Sequence, residues 1–294
     1  MISIRSEEKQ QIGLQYALET LHGCSPFGQE KIRRLRFYTP AERAELETEL
    51  YNVRQAADHA EQLKGVYDKI CILLCQMKDI RNSIRRCRDG EVPDHVELFE
   101  IKGYLQRLES LLPLYAQLTE EAPLRGLSFH DPKPALDILD PDNTRSRGFY
   151  IPDSMTENLR QIRRTKKQLE EKLHEAKTDA EKDDLRLQRT RVCAEEESEE
   201  TKIRRDMGAR LAPLAEDMLA DAESAGRLDF IIQKALFAVR YGGVMPEITD
   251  GELELTDMVN PELCDLLSEQ GRSFVPVSIS LEREIGRASC RERV

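Results

Sequence analysis

The sequence predicts a mainly α protein, and three observations carry that reading. Charged residues make up 34% of the chain, aromatics 5%, and Trp is absent, the balance of amphipathic helices with wide solvated faces rather than of packed strands. Apolar residues recur at three- and four-residue spacing through most of the chain, the period of a helix that buries one stripe. Pro and Gly gather in a few stretches, so the elements between them are long.

Taken in order, Ile12 to Leu21 reads as a first helix, with Ile12, Leu14, Leu18 and Leu21 on its apolar side, interrupted by Gly23, Pro26 and Gly28. A second helix is expected from Gln29 to near Phe37. Thr39 is placed to cap a third, with Pro40 in its first turn and Leu46, Leu50 and Val53 as its stripe, reaching toward Gly65. Val66 to Arg88 sets Val66, Ile70, Leu73, Leu74, Met77, Ile80 and Ile84 on one face before Gly90 and Pro93 end it. Val96 to Leu118 repeats the pattern through Leu98, Ile101, Leu105, Leu108, Leu111 and Leu112.

Pro123, Pro132, Pro134, Pro141 and Pro152 mark the main irregular crossover, with a β-like patch at Gly148 to Ile151. Ser154 with Glu157 reads as a capping box opening a helix to about Lys177, and Thr178 with Asp179 as a tight turn or a new N-cap. From Ala180 to Tyr241 only Pro213 and isolated Gly interrupt the helical pattern, so a long antiparallel two-helix arm is expected between Ser154 and about Tyr241. Beyond Gly242 and Gly243, Glu252 to Leu255 and Phe274 to Leu281 read as strands that open another domain.

A net charge of −11 excludes a generally basic nucleic-acid binder, so any DNA contact must be local. The seven Cys show no zinc-ligand spacing, and no apolar run suggests a signal peptide or membrane span. Reduced thiols in a cytoplasmic protein are therefore expected. The last residues, from Glu284, read EIGRASCRERV, which looks like a sequencing adapter translated in frame. The alternative is a natural basic tail carrying Arg287, Arg291 and Arg293. On the adapter reading, residues 284–294 are an artefact, and the protein continues past about Arg283.

Three segments, in this order, resemble the MutS family of DNA-binding ATPases. The first is TLHGCSPFGQEKIRRLRFYTPAERAELETELYNV, where Thr20, Gly23, Leu35, Pro40, Leu46 and Val53 carry the likeness. The second is IRNSIRRCRDGEVPDHVELFEIKGYLQRLESL, with Gly90, Glu97, Leu98, Ile101 and Leu105. The third runs from Arg227 to Leu281: its first half is similar to the end of the family's lever, and LTDMVNPELCDLLSEQGRSFVPVSISLE to the opening of its ATPase domain. Asn260 and Pro261 stand where the family has a His-Pro pair, so half of that pair departs from the pattern.

The resemblance implies a helical core over 1–150, a lever arm over 151–242, and over 243–283 the first strands of an α/β P-loop ATPase domain. It implies ATP and Mg²⁺ as cofactors of the full-length protein, DNA as partner, a homodimer, and adenine packing at Phe274 and Val275. A Phe that opens an alternating strand is ordinarily core, and that alternative stays open. No G-x-x-x-x-G-K-[ST] loop occurs in the sequence, so this stretch is not expected to hydrolyse ATP by itself. The family's mismatch-repair members carry a DNA-gripping clamp at the tip of the arm. Lys177 to Arg186 leaves room here only for a turn, and a branch acting outside mismatch repair fits better.

Arg160, Arg163, Arg164, Lys166, Lys167 and Lys172 outnumber Glu170 and Glu171 locally, a candidate phosphate-contacting face against the alternative of a solvated helix side. The acidic run at Glu195, Glu196, Glu197, Glu199 and Glu200 reads as a solvated face. Asp137, Asp140, Asp142 and Asn143 lack calcium-loop spacing and read as turn residues, and no metal is assigned. His130 beside Asp131 suggests an acid/base dyad only superficially. A structural coiled-coil protein without a nucleotide site is the competing reading, and it requires unbroken heptads through Ala180 to Tyr241, where Pro213 and Gly226 intervene.

Overall fold

The computed structural model describes residues 6–35, 37–143, 145, 150–249 and 253–281. The fold is mainly helical, 69% helix and 4% strand, with one small two-stranded antiparallel sheet. Residues 284–294, read as adapter, lie outside the described residues, as do 148 and 149 of the β-like patch at 148–151. No helix among the described residues is long and apolar enough to cross a membrane.

The first expected helix, Ile12 to Leu21, is α2 (Leu14–Thr20), and a short helix the sequence reading did not include, α1 (Ser6–Gln11), precedes it. Gly13 divides them at φ 72°, a left-handed conformation that glycine adopts without a Cβ clash. Ser25 caps α3 (Pro26–Arg33) by accepting from Gly28 N, so this helix begins and ends earlier than its apolar pattern suggests. Thr39 and Glu42 form a capping box on a single 3-10 turn, Pro40–Glu42, which leads into α4 (Arg43–Asp58).

The buried side of α4 is not the expected stripe. Glu49, Asn52 and Ala56 face inward, while Leu46, Leu50 and Val53 are only half-buried. The inward polar groups have dedicated partners: Asn52 donates to Arg125 O at 2.9 Å and accepts from Arg125 N at 2.7 Å, and Glu49 accepts from Lys234 at 3.0 Å. A polar group that is matched twice can be buried at little cost, which inverts the hydrophobic logic of the sequence.

The expected 66–88 helix breaks into α5 (Lys64–Cys75) and α6 (Arg81–Arg88). Asp79 sits in the break, accepting from the backbone and side chain of Arg81, a local alternative to helix continuation. The apolar face survives it: Ile70, Leu74, Met77, Ile80 and Ile84 are all buried. α7 (His95–Glu121) follows and runs through Pro113, with Leu98, Ile101, Leu105, Leu108 and Leu111 at 0–1% exposure. The crossover holds a short helix, α8 (Lys133–Leu139), which buries Ala135, Ile138 and Leu139.

α9 (Glu157–Glu175) and α10 (Asp179–Leu211) pack antiparallel across a turn at 176–178. Thr156, not Ser154, caps α9, accepting from Leu159 N; Ser154 instead donates to Asp142. Thr178 and Glu181 form the capping box of α10. The more sheltered positions of the hairpin follow alternating spacings of three and four, at Leu159, Ile162, Lys166, Leu169, Leu173 and Ala176, and at Lys182, Leu185, Arg189, Val192, Glu196, Glu199 and Ile203. That is a coiled-coil seam with charged residues in several apolar places.

At Pro213 the chain tightens to one 3-10 turn, Ala212–Leu214, and resumes as α11 (Ala215–Tyr241). Leu211, Ala212 and Ala215 all keep right-handed helical dihedrals, so the helical path continues from α10 into α11 with no reversal. The middle of α11 buries a broad face, at Asp221, Ala222, Ser224, Ala225, Leu228, Asp229, Ile231, Ile232 and Ala235, and leaves Glu223 exposed on the other side. Small residues let neighbours approach closely: a Cβ at Gly226 would collide with Phe27.

Beyond α11 lie β1 (Leu253–Met258), α12 (Pro261–Glu269) and β2 (Val277–Leu281). The strands pair antiparallel, Leu253 opposite Leu281 and Leu255 opposite Ile279, with a bulge before Met258 where Asp257 adopts φ 50°. The chain divides into two compact units, one of residues 1–71, 116–127 and 226–294 and the other of 72–115 and 128–225.

Candidate functional site

The basic residues expected to face DNA are sorted by the arm's own packing. Arg163 is drawn inward to 11% side-chain exposure. Its guanidinium donates to Glu196 at 3.0 Å, Glu200 at 2.8 Å, Ile151 O at 2.7 Å and the Asp153 carboxylate, and it lies over the Tyr150 ring at 4.2 Å. Lys166 joins Glu196 from the same side, and Arg160 pairs with Glu157. Arg164 and Lys167 remain exposed, and among the described residues neither has an ion-pair partner. Lys172 is likewise exposed without an ion-pair partner among the described residues, so three of the six expected contacts are unengaged cations, and Arg163 is a structural hub.

The acidic run is divided in the same way, and its reading as a uniformly solvated face is corrected. Glu196, Glu199 and Glu200 turn inward, Glu199 to 8% exposure, while Glu195 and Glu197 face solvent. Burial opposes the charge of Glu196, but hydrogen bonds from Lys166 and Arg163 prevail and hold its carboxyl below the ordinary carboxylate range. The pairing was accessible to sequence reasoning: reflecting the chain about the Thr178 turn sets residues 163–166 against 196–200. Reading each helix separately hid it.

A cleft of about 440 Å³ beside the hub is lined by Asp142, Ser154, Thr156, Glu199, Lys202 and Arg210, among others. Its polar groups largely satisfy one another, through Ser154 with Asp142, Thr156 with Glu199, and Lys202 with Glu199. The remaining crossover acids are engaged as well. Asp137 pairs with Lys133, and Asp140 is buried with Lys102 at 3.3 Å and accepts from Arg145 N.

The partner of His130 is not its neighbour. Asp131 accepts from Lys133 N, whereas Asp221 accepts from both His130 N and Nδ1 at 2.9 Å. No sequence signal joins residues 91 positions apart on a loop and a buried helix face. The hydrogen bond to Asp221 leads the influences that raise His130 above its ordinary pKa of 6.5. The sign follows from linkage: a raised folded value means stabilisation that is complete below 6.5 and is lost as pH climbs through the raised value. The His130 ring signal in an NMR titration is expected to titrate above 6.5, and Asp221→Asn is expected to move its midpoint down.

Phe274 and Val275 lie in the extended stretch ahead of β2, Phe274 half-buried and Val275 77% exposed. Asn260 caps α12 by accepting from Leu263 N, with Pro261 as the first helical residue. Compared with known proteins, the chain matches no family model and no curated protein.

Proposed function

We propose that this chain is the helical core and lever of a MutS-like, ATP-dependent DNA-binding protein that works as a homodimer. In this reading the arm transmits, and nucleotide chemistry belongs to a phosphate loop that this sequence does not contain. ATP and Mg²⁺ act there, and Phe274 with Val275 approach the adenine.

The observation that carries the reading is the unbroken helical path from Asp179 through the 3-10 turn at Pro213 to Tyr241. The arm turns back at Thr178 without an inserted domain, which favours a branch of the family that grips DNA by the arm or core rather than by a tip clamp. Arg164, Lys167 and Lys172 are cluster cations left available for phosphates.

The test is fluorescence anisotropy of the chain with labelled duplex, nicked and four-way-junction DNA across a salt series. Salt-sensitive binding is expected with Kd of about 1–100 µM, and Arg164→Glu with Lys167→Glu is expected to reduce the log–log salt slope by about 2. A chain that binds none of the three DNAs at low salt, or a charge-reversed variant that binds as well as the parent, refutes the DNA-contact part of the reading. The first of these outcomes favours a structural coiled-coil protein instead.

A further inference from the structure

α12 is held in place without a hydrophobic core. None of the described residues from 253 to 280 is buried, and α12 leaves Leu263 and Leu266 exposed at 42% and 49%. Burial of apolar area, the usual source of docking energy, is therefore slight here. The attachment is polar and converges on one atom. Asp265 Oδ2 accepts from Tyr16 Oη at 2.5 Å, Tyr241 Oη at 2.7 Å and Arg240 Nη2 at 2.8 Å. These donors come from α2 and from the end of α11. A second contact lies one turn back, where the absent side chain of Gly13 leaves room for Asn260, 3.2 Å from where a Cβ would stand.

We propose that Asp265 is a latch: α12, with the β1–β2 sheet, docks on α2 and the end of α11 chiefly through this carboxylate and is released as a unit when it is lost. The proposal stands apart from the DNA-binding reading, since it concerns only how this segment is fastened. Charge-assisted hydrogen bonds to a shared oxygen are short and strong, so removing one group cancels three attachments. An element with little buried area then opens on its own, while the packed helices stay closed. The fold is thereby given a segment with two positions, docked and free, set by a single side chain.

Hydrogen exchange of the full chain, followed by mass spectrometry, tests this with Asp265→Asn and, separately, Arg240→Gln, which leaves α12 itself unaltered. Peptides from α12 are expected to exchange about tenfold faster or more in Asp265→Asn, with a smaller change in Arg240→Gln, while peptides from Leu98 to Leu111 keep parent rates. Unchanged exchange in α12 would show that something other than the latch fastens it. Faster exchange in α12 and in Leu98–Leu111 together would make the segment part of one cooperative fold. Either result overturns the proposal.

Discussion

Asp229→Ala is expected to lower the free energy of unfolding by about 3–4 kcal/mol in equilibrium urea denaturation. Asp229 is wholly buried on α11 and accepts from Cys24 N at 3.1 Å, Ser25 N at 2.7 Å and Ser25 Oγ at 2.7 Å. It thus organises the residue that caps α3. Alanine leaves those donors facing an apolar gap, and unmet buried donors cost about 1–3 kcal/mol each. Asp229→Asn keeps the shape and one acceptor and is expected to lose less than half as much. The pair also makes a pH test. Burial, ahead of the opposing hydrogen bonds, raises the Asp229 carboxyl above its ordinary 3.8. A raised folded value gives the wild type an advantage that is present below 3.8 and lost as pH rises through the raised value, so the Asn variant should gain on the wild type over that window. An Asn variant whose deficit grows with pH would contradict this account of the site.

Arg163→Ala is expected to cost about 2–3 kcal/mol, a buried-pair penalty discounted because Asp153 is half exposed. The loss reaches beyond charge. Arg163 ties Ile151 and Asp153, ahead of α9, to Glu196 and Glu200 on α10, so its removal loosens the base of the hairpin. Arg163→Lys should recover only part of the loss, since an ammonium cannot reproduce the guanidinium fork. Glu196 and Asp153 both have folded values depressed below their ordinary 4.5 and 3.8. Their stabilisation is present above those values and lost as pH falls through the depressed ones, so the variant should show a flatter acid limb in its unfolding curve. Equal acid sensitivity in both proteins would remove Arg163 as the hub.

Helix existence was readable along the chain because the buried stripes of α7 and of α5 with α6 keep their period even across the Asp79 break. Faces and ends were less readable. α4 buries Glu49 and Asn52 because their partners, Lys234 and the backbone of Arg125, arrive from distant sequence. The helix expected from Ile12 starts only at Leu14, because Gly13 takes a left-handed conformation that a helical pattern does not reveal. α8 was missed because Pro132 and Pro134 resemble turn punctuation, although proline is well tolerated in a first helical turn. The arm's basic cluster was legible as residues but not as a surface. Which cations remain available depends on carboxylates that only the antiparallel pairing brings alongside, and His130 finds Asp221 only once the crossover meets α11.

The turn at the end of the arm has an evolutionary consequence. The seam on either side is registered by its own layers, and the Thr178–Glu181 box fixes the start of α10 whatever precedes it. Lengthening the loop after Ala176, at Lys177, therefore disturbs no layer, and the entropy of closing a longer loop grows by only about 0.6 kcal/mol per doubling. An entire folded module can be gained or shed at this junction in one genetic step, with the shaft beneath it left intact.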